Sequence, residues 1–355
     1  MKNKLLITTA LAGVITGSSA FAQTSVTGSL DIHYRSLSFD GTGTASRNGF
    51  GRETQLNVQN KGKLNNGVDY AAGFSLEFDG QGSQAGVAGS SGGPSLTETA
   101  SISNENVYVD FIMGSTTLTV GVDHVQNSTT HSAPMVRNIL DDVVAMGALA
   151  TDQIGAKTKE AMYFGIVQDI PGTGIKLSAI KAPQGGAFGA NDQSVSATGY
   201  RNGSYEIGLT GTNAFGVSGL KLHAFTNKEK AELSTVTDLK GTTYGIGYTF
   251  GQFAAGVDIH KTNRSTTNTA VEANMKNTIV GVTYAATKDV TIGALLSRNT
   301  NSIVTETEKV KSVQVGYNLG PVAIIGHYDV FDGIAGSSAS TAEGNQIGVR
   351  VSSSF

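Results

Sequence analysis

The sequence predicts an all-β protein, a transmembrane antiparallel up-and-down β-barrel of about sixteen strands. Apolar and polar residues alternate in segments of about ten residues separated by Gly, Asn, Asp, Ser and Thr, which is the pattern of a barrel strand. After the first residues, no stretch approaches the length of apolar sequence that a membrane-spanning helix needs. The composition agrees: with 46 Gly, no Trp and 39% hydrophobic residues, the chain is poorer in apolar residues than soluble domains, which carry about 45–50%.

Residues 1–22 are predicted to be a secretory signal peptide, and residues 23–355 a single barrel domain. Two lysines, Lys2 and Lys4, precede an apolar stretch, and Ala20-Phe21-Ala22 fits a small-residue cleavage site. The alternative, a membrane anchor, is disfavoured because glycine, threonine and serine interrupt the apolar run from Gly13 to Ser19.

Cysteine content and charge exclude several classes of function. The chain has no cysteine, which rules out disulfides, catalytic thiols and thiolate metal ligands. Loss of the two lysines of the signal peptide lowers the formal net charge from −3 to −5. This mild acidity argues against nucleic acid as a partner, because nucleic-acid-binding domains favour a basic surface.

The predicted strands follow one another along the whole mature chain. In the clearest case Tyr244, Ile246, Tyr248 and Phe250 alternate with small or polar residues and would face lipid. The region 183–213 is ambiguous, because it could hold two strands or a long loop and one strand. The predicted segments are 24–39, 50–63, 67–79, 102–113, 115–125, 158–169, 174–182, 203–213, 219–227, 241–250, 252–263, 274–286, 289–299, 308–319, 321–331 and 343–355.

The connections divide into short turns and long polar loops, which alternate along the chain. Examples of short turns are Asn65-Asn66-Gly67, Gly114-Ser115 and Gly251. Aromatic residues concentrate near these turns, where Tyr and Phe would form the interfacial girdle of a barrel without Trp. They are Phe250, Phe253, Tyr284, Tyr317 and Phe355.

The last segment predicts how the barrel closes. Ile347, Val349, Val351 and Phe355 share its apolar face, and the first segment presents Val26, Leu30, Ile32 and Tyr34 in the same way. Pairing of these two strands would remove both sheet edges, which lipid cannot solvate.

The signal peptide, the opening strand VTGSLDIHY and the final strand ending in Phe355 resemble the trimeric general porins of Gram-negative outer membranes, most closely those of alphaproteobacteria. The resemblance implies an outer-membrane channel for passive diffusion of ions and small hydrophilic solutes. It also implies a homotrimer, contact with outer-membrane lipid and lipopolysaccharide, and an assembly machinery that recognises the terminal strand with Phe355.

The resemblance further implies that the loop after the fifth strand folds inward and constricts the pore. The longest gap between predicted strands, from Val125 to about Lys159, lies in that place. It would bring Asp141, Asp142 and Asp152 to the narrowest point, with Arg137 nearby. The alternative is an external loop with solvated acids, and the Pro-Glu-Phe-Gly-Gly motif of enteric porins is missing.

A basic cluster is predicted on the pore wall opposite these acids. Arg35, Arg52 and Arg350 come from strands one, two and sixteen, which are neighbours in a closed barrel. Arg52 shares its parity with Leu56 and Val58, which would face lipid. Acids facing bases would produce a transverse field, and the net charge of −5 predicts a mild preference for cations.

The Gly/Ser-rich stretch 80–100 has two interpretations. It is a candidate contact with a neighbouring subunit, because the resembled family latches subunits with this loop, or it is a flexible surface loop.

Catalysis and metal binding have little support. The histidines lack the H-E-x-x-H spacing of zinc enzymes, and no cofactor is expected. A structural Ca²⁺ at Asp141-Asp142 is an alternative, although adjacent acids are common in solvated loops.

The sequence is compatible with two rival functions. A substrate-selective channel would need aromatic side chains facing the lumen, and Tyr108 is the main one expected there. An exported adhesin or β-sandwich would have no channel at all.

Overall fold

The structure, a computed structural model, describes residues 23–40, 47–80, 101–122, 162–182, 201–231, 239–264, 274–302, 306–333 and 343–355. They contain sixteen antiparallel strands. The predicted signal peptide and the predicted constriction loop lie outside the described residues. The strands are β1 Gln23–Phe39, β2 Arg47–Lys63, β3 Asp69–Gly80, β4 Ser101–Met113, β5 Thr116–Gly121, β6 Tyr163–Ile170, β7 Ile175–Ala182, β8 Arg201–Thr212, β9 Leu220–Ala231, β10 Leu239–Phe250, β11 Phe253–Arg264, β12 Met275–Ala285, β13 Val290–Asn301, β14 Glu308–Asn318, β15 Val322–Asp332 and β16 Gly344–Ser354.

Each strand pairs with its neighbours in the chain, and β1 pairs with β16, so one sheet closes on itself. The closing register runs from Ser29 opposite Ser354 to Phe39 opposite Gly344. Closure confirms the predicted pairing of the first and last strands and excludes a two-sheet sandwich.

The two faces of the sheet differ as the alternation predicts. On β10 the apolar side chains of Tyr244, Ile246 and Phe250 are exposed on the outer face, whereas Thr243 is buried on the inner face. The same division holds for β16, where Ile347, Val349 and Val351 are exposed. An apolar exterior around a polar interior is the arrangement that a lipid bilayer requires of a barrel.

The short turns all lie at one end of the barrel, together with Gln23 and Phe355. Near this end the outer-face rings of Tyr248, Phe250, Phe253 and Tyr284 form a continuous stack across β10, β11 and β12. Successive ring centroids are 6.1, 5.8 and 4.7 Å apart. The stack confirms that aromatic side chains gather near the short turns.

Some strand boundaries differ from the predicted ones. β5 ends at Gly121 and β6 begins at Tyr163, so both are shorter than predicted. The described part of 183–213 holds one strand, β8, and residues 183–200 lie outside the described part. β4 contains a bulge where Asn106 has a φ of 47°, and the Asn106 amide donates to Ser75 Oγ at 3.0 Å. In the part of the chain that the structure describes, no helix is long and apolar enough to cross a membrane.

Candidate functional site on the inner wall

Closure of the barrel brings charged side chains from four strands together on its inner face. We call this group the wall cluster. Most of its members line one small cavity of about 30 Å³ between β15, β16, β1 and β2. The wall cluster consists of Asp31, His33 and Arg35 on β1, Glu53 on β2, His327 and Asp329 on β15, and Arg350 on β16.

An ion pair between Arg350 and Asp31 joins the two ends of the chain inside the wall cluster. Arg350 stands opposite His33 in the β1–β16 register, which puts its guanidinium within reach of Asp31. Arg350 Nε and Nη2 donate to Asp31 Oδ1 and Oδ2 at 3.1 and 2.6 Å. The two side chains are 24% and 13% exposed. Two parallel charge-assisted hydrogen bonds at a partly buried site fix both side chains against the wall.

Two histidine rings of the wall cluster lie flat on the sheet. A Cβ atom at Gly348 would overlap the ring of His327, and one at Gly51 would overlap the ring of His33. His327 Nδ1 is also 2.6 Å from Asp329 Oδ2. Glycine on the neighbouring strand therefore lets each ring lie along the wall instead of projecting into the lumen.

A second polar group lies on the inner face of β8 to β11. His223 Nε2 is 2.9 Å from Asp258 Oδ1, and both side chains are fully buried. Thr243 Oγ1 is 3.2 Å from His260 Nδ1, and the Asn227 amide donates to Glu206 at 3.4 Å. His223 and Asp258 thus lie in contact with one another, whereas His260 and Glu206 contact neutral polar side chains.

Acidic side chains outnumber basic ones on the inner face. The registers of neighbouring strands assign each residue to the inner or the outer face. Near the short turns, Lys63 forms an ion pair with Asp69 at 2.6 Å, and Lys176 forms one with Asp169 at 2.9 Å. Among side chains that the structure describes, the inner face of the strands carries the acids Asp31, Glu53, Asp69, Glu77, Asp110, Asp169, Glu206, Asp258, Glu308 and Asp329 and the bases Arg35, Lys61, Lys63, Lys176, Lys221 and Arg350. The described inner wall therefore carries a net negative charge.

The structure brings together two of the three predicted wall arginines. Arg35 stands opposite Gly348, two residues along β16 from Arg350, and both arginines belong to the inner face. Arg52 stands opposite Ile32, whose side chain is 44% exposed on the outer face. The prediction that Arg52 belongs to the pore wall is therefore wrong, because residues directly opposite in an antiparallel pair share a face.

The predicted constriction acids Asp141, Asp142 and Asp152 lie outside the described residues, as does Arg137. Within the part of the chain that the structure describes, no group of three or more His, Asp or Glu side chains could hold a metal ion.

The inner face holds more aromatic side chains than the expected Tyr108. Tyr163, Phe225 and Phe331 are almost fully buried there, alongside Tyr108. The alternation along each strand indicates this inner-face position, because Phe225 is two residues from inward-facing His223 and Phe331 is two residues from inward-facing Asp329. They stand on β6, β9 and β15, which are not neighbouring strands.

Comparison with known proteins relates this barrel to a family. Residues 8–352 match the family model described as Gram-negative porin. The anion-selective porin from Comamonas acidovorans has a similar fold, with a TM-score of 0.63 at 13% identity over 94% of this chain and 100% of that one. A triple mutant of the Rhodopseudomonas blastica porin aligns with a TM-score of 0.58 at 14% identity and the same coverage. No curated protein sequence matches significantly.

The family match spans nearly the whole chain. A closed barrel with an apolar exterior and a charged inner wall is the structure that a water-filled membrane channel requires. The family and the fold are those of non-enzymatic channels. The chain belongs to the Gram-negative porins, and it forms an outer-membrane channel for passive diffusion.

Proposed function

We propose that this porin is a general diffusion channel for small hydrophilic solutes with a preference for cations. The observation that carries the proposal is the excess of carboxylates on the inner face, among them Glu77, Asp110, Glu206 and Glu308. Fixed charges of one sign along a narrow aqueous path attract ions of the opposite sign and exclude the others.

Pairing within the wall does not cancel this excess. Arg350 is bound to Asp31, and Lys63 and Lys176 each face an aspartate near the short turns. Three of the basic side chains on the inner face are thus matched by an acid beside them. The acids of the central wall are left to set the sign of the potential.

The anion-selective Comamonas acidovorans porin supports the fold only, since it is 13% identical to this chain. Selectivity depends on which side chains face the lumen, and a shared barrel does not transfer it. The proposed preference therefore rests on the inner-face residues of this chain.

We further propose that Asp141, Asp142 and Asp152 form the acidic side of a constriction made by the segment between β5 and β6. Support comes from the length of that connection, which runs from Gly121 to Tyr163, and from the family. Arg35 and Arg350 would form part of the facing wall. A Ca²⁺ ion at Asp141-Asp142 remains the alternative role for these acids.

The proposed assembly is a homotrimer. Besides the family, the proposal is supported by an uneven distribution of charge on the outer surface. Within the described strands β1 to β5 and β16, Arg52 is the only charged residue on the outer face. The outer face of β9 to β14 carries many charged residues. An apolar side of a barrel suits contact with further subunits. Residues 80–100 would reach a neighbouring subunit. The other proposed partners are outer-membrane lipid, lipopolysaccharide and the barrel-assembly machinery.

A substrate-selective channel is a weaker candidate. The inner aromatics Tyr163 and Phe225 are the observation in its favour, but they do not lie on adjacent strands and do not form a continuous track. A saturable block of conductance by one solute at micromolar concentration would favour this alternative.

The deciding experiment measures reversal potentials of the refolded mature chain in a planar bilayer with a salt gradient. We expect stepwise openings in triplets and a potential whose sign indicates cation preference. Asp141→Asn/Asp142→Asn should weaken that preference if the loop lies in the pore. A potential that favours chloride would refute the proposed selectivity, and an unchanged mutant would place the loop outside the constriction.

A further inference from the structure

Several large rings on the inner face lie over a glycine of the neighbouring strand. A Cβ atom added at any of these glycines would come closer than 3.0 Å to a ring atom, which is well inside the separation at which carbon atoms pack. The rings therefore occupy space that any other residue type would fill with its own side chain. The pairs are His33 over Gly51, His327 over Gly348, Phe225 over Gly208 and Phe331 over Gly344.

Two of these rings, those of His33 and His327, belong to the wall cluster. There Glu53 is exposed and His33 is half-buried, and both histidines line the small cavity of the cluster. This sector of the described inner wall is thus open to the lumen. The two phenylalanine rings, by contrast, are each 2% exposed. The position of the two histidine rings therefore affects the width of the open lumen.

A side chain in place of Gly348 would turn the His327 ring into the lumen. The ring lies over Gly348, on the side of His327 toward β1, where Arg35 is the next inner-face residue across the sheet. On the other side, Gln314 of β14 stands directly opposite His327 and is only 5% exposed, so a ring has no room there. Because the backbone of the sheet lies behind it, the displaced ring moves away from the wall.

The His33 ring is confined in the same way. Its neighbours across the sheet are Gly51 on β2 and Arg350 on β16. The ring lies over Gly51, and the other side is occupied by Arg350, which two hydrogen bonds fix to Asp31. A Cβ atom at Gly51 would overlap the tip of a side chain and no backbone atom nearby, so the barrel should still fold. The ring would then project into the lumen.

We propose that Gly51 and Gly348 determine the size limit of this channel for hydrophilic solutes, because they let two imidazole rings lie flat against the wall. Glycine weakens the interior of a strand, and at these two positions the space it leaves for a ring offsets that cost. The diameter of a pore decides which neutral solutes pass. The inference rests on the diffusion channel proposed above, and it does not depend on the cation preference.

The test measures the size limit of the refolded mature chain in a planar bilayer with neutral polyethylene glycols of graded size. A polymer that enters the channel lowers its single-channel conductance, and an excluded polymer does not. We expect Gly51→Ala and Gly348→Ala each to lower the conductance without polymer and to shift the exclusion limit to smaller polymers, with a larger shift in the double variant. The control Gly326→Ala changes an outer-face glycine of β15 with no atom within 4 Å of its missing Cβ, and it should match the wild type.

Removal of the rings separates a blocked lumen from a damaged sheet. His33→Ala in the Gly51→Ala variant, and His327→Ala in the Gly348→Ala variant, should restore the exclusion limit of the wild type, because no ring is left to displace. A limit that stays small after the histidine is removed would overturn the proposal, since the alanine would then act through the sheet itself. A wild-type limit in both glycine variants would overturn it as well. Absence of any conductance in the wild type would instead refute the diffusion channel.

Discussion

Gly28 and Phe355 exchange both of their backbone hydrogen bonds across the seam between the first and last strands. The Gly28 N–H donates to the Phe355 carbonyl at 2.8 Å, and the Phe355 N–H donates to the Gly28 carbonyl at 3.0 Å. The Phe355 ring lies on the outer face over Gly28, in the space that a Cβ atom would occupy. The carboxyl terminus is therefore a paired part of the sheet, and its aromatic ring depends on a glycine opposite.

Replacement of Gly28 by valine should weaken closure of the barrel. The new side chain would displace the Phe355 ring, at a cost of about 1–3 kcal/mol in the free energy of unfolding. Urea titration of the refolded protein in lipid, followed by tyrosine fluorescence, measures that free energy. The matched control is Gly326→Val on β15, an outer-face glycine with no atom near its missing Cβ; a loss as large in the control would contradict the steric explanation.

The variant Phe355→Ser distinguishes recognition of the last strand by the assembly machinery from the contribution of that strand to the stability of the barrel. The ring is 71% exposed on the outer face, while the hydrogen bonds to Gly28 use only the backbone. We expect the variant to refold in detergent with a yield near that of the wild type but to accumulate several-fold less in the outer membrane of cells. Equal amounts of variant and wild type in membrane fractions would argue against the assembly role of Phe355.

The Asp31–Arg350 pair should control both stability and ion preference. Arg350→Gln leaves the Asp31 charge without its partner and should strengthen cation preference, and Asp31→Asn should weaken it. In a double-mutant cycle of unfolding free energies we expect a coupling of about 1–3 kcal/mol, because the bidentate pair is partly buried. The double variant should return the reversal potential close to the wild-type value. Additive effects of the two single variants on the free energy of unfolding would show that the pair does not act as a unit.

Charge on the inner face, not total charge, should determine selectivity. Glu308 faces inward and accepts a hydrogen bond from the Asn299 amide at 3.2 Å, whereas Asp332 faces outward beside Lys309. Glu308→Gln should reduce cation preference in reversal-potential measurements. Asp332→Asn changes the net charge by the same amount and should leave the cation preference unchanged. A similar shift in both variants would mean that the overall charge of the protein sets the preference.

The alternation of apolar and polar residues predicted most of this fold. The strand count, the closing pair and the aromatic side chains near the short turns followed from period-two patterning, because a barrel strand meets lipid on one face only. Arg52 was assigned to the wrong face even though its parity matched Leu56 and Val58. The outer face near a strand end tolerates cations, so a charged residue is not a reliable sign of the inner face.

The inner aromatic residues show a second limit of assigning faces from the sequence of one strand. Phe225 and Phe331 have the parity of His223 and Asp329, but large apolar side chains suggest lipid when strands are considered singly. The register between strands confirms that they pack inside, as Phe225 does over Gly208 on β8.

The sequence by itself determined that the chain forms a barrel, where its strands lie and which face of most strands meets lipid, because these depend on neighbours within a strand. The tertiary structure decided which residues of different strands meet: Arg350 binds Asp31, Gly28 pairs with Phe355, and Arg298 stands opposite Lys309. Asp31 and Arg350 are 319 positions apart in the sequence, and Gly28 and Phe355 are still farther apart. Cross-strand register is set by the closure of the whole sheet, and no local pattern contains it.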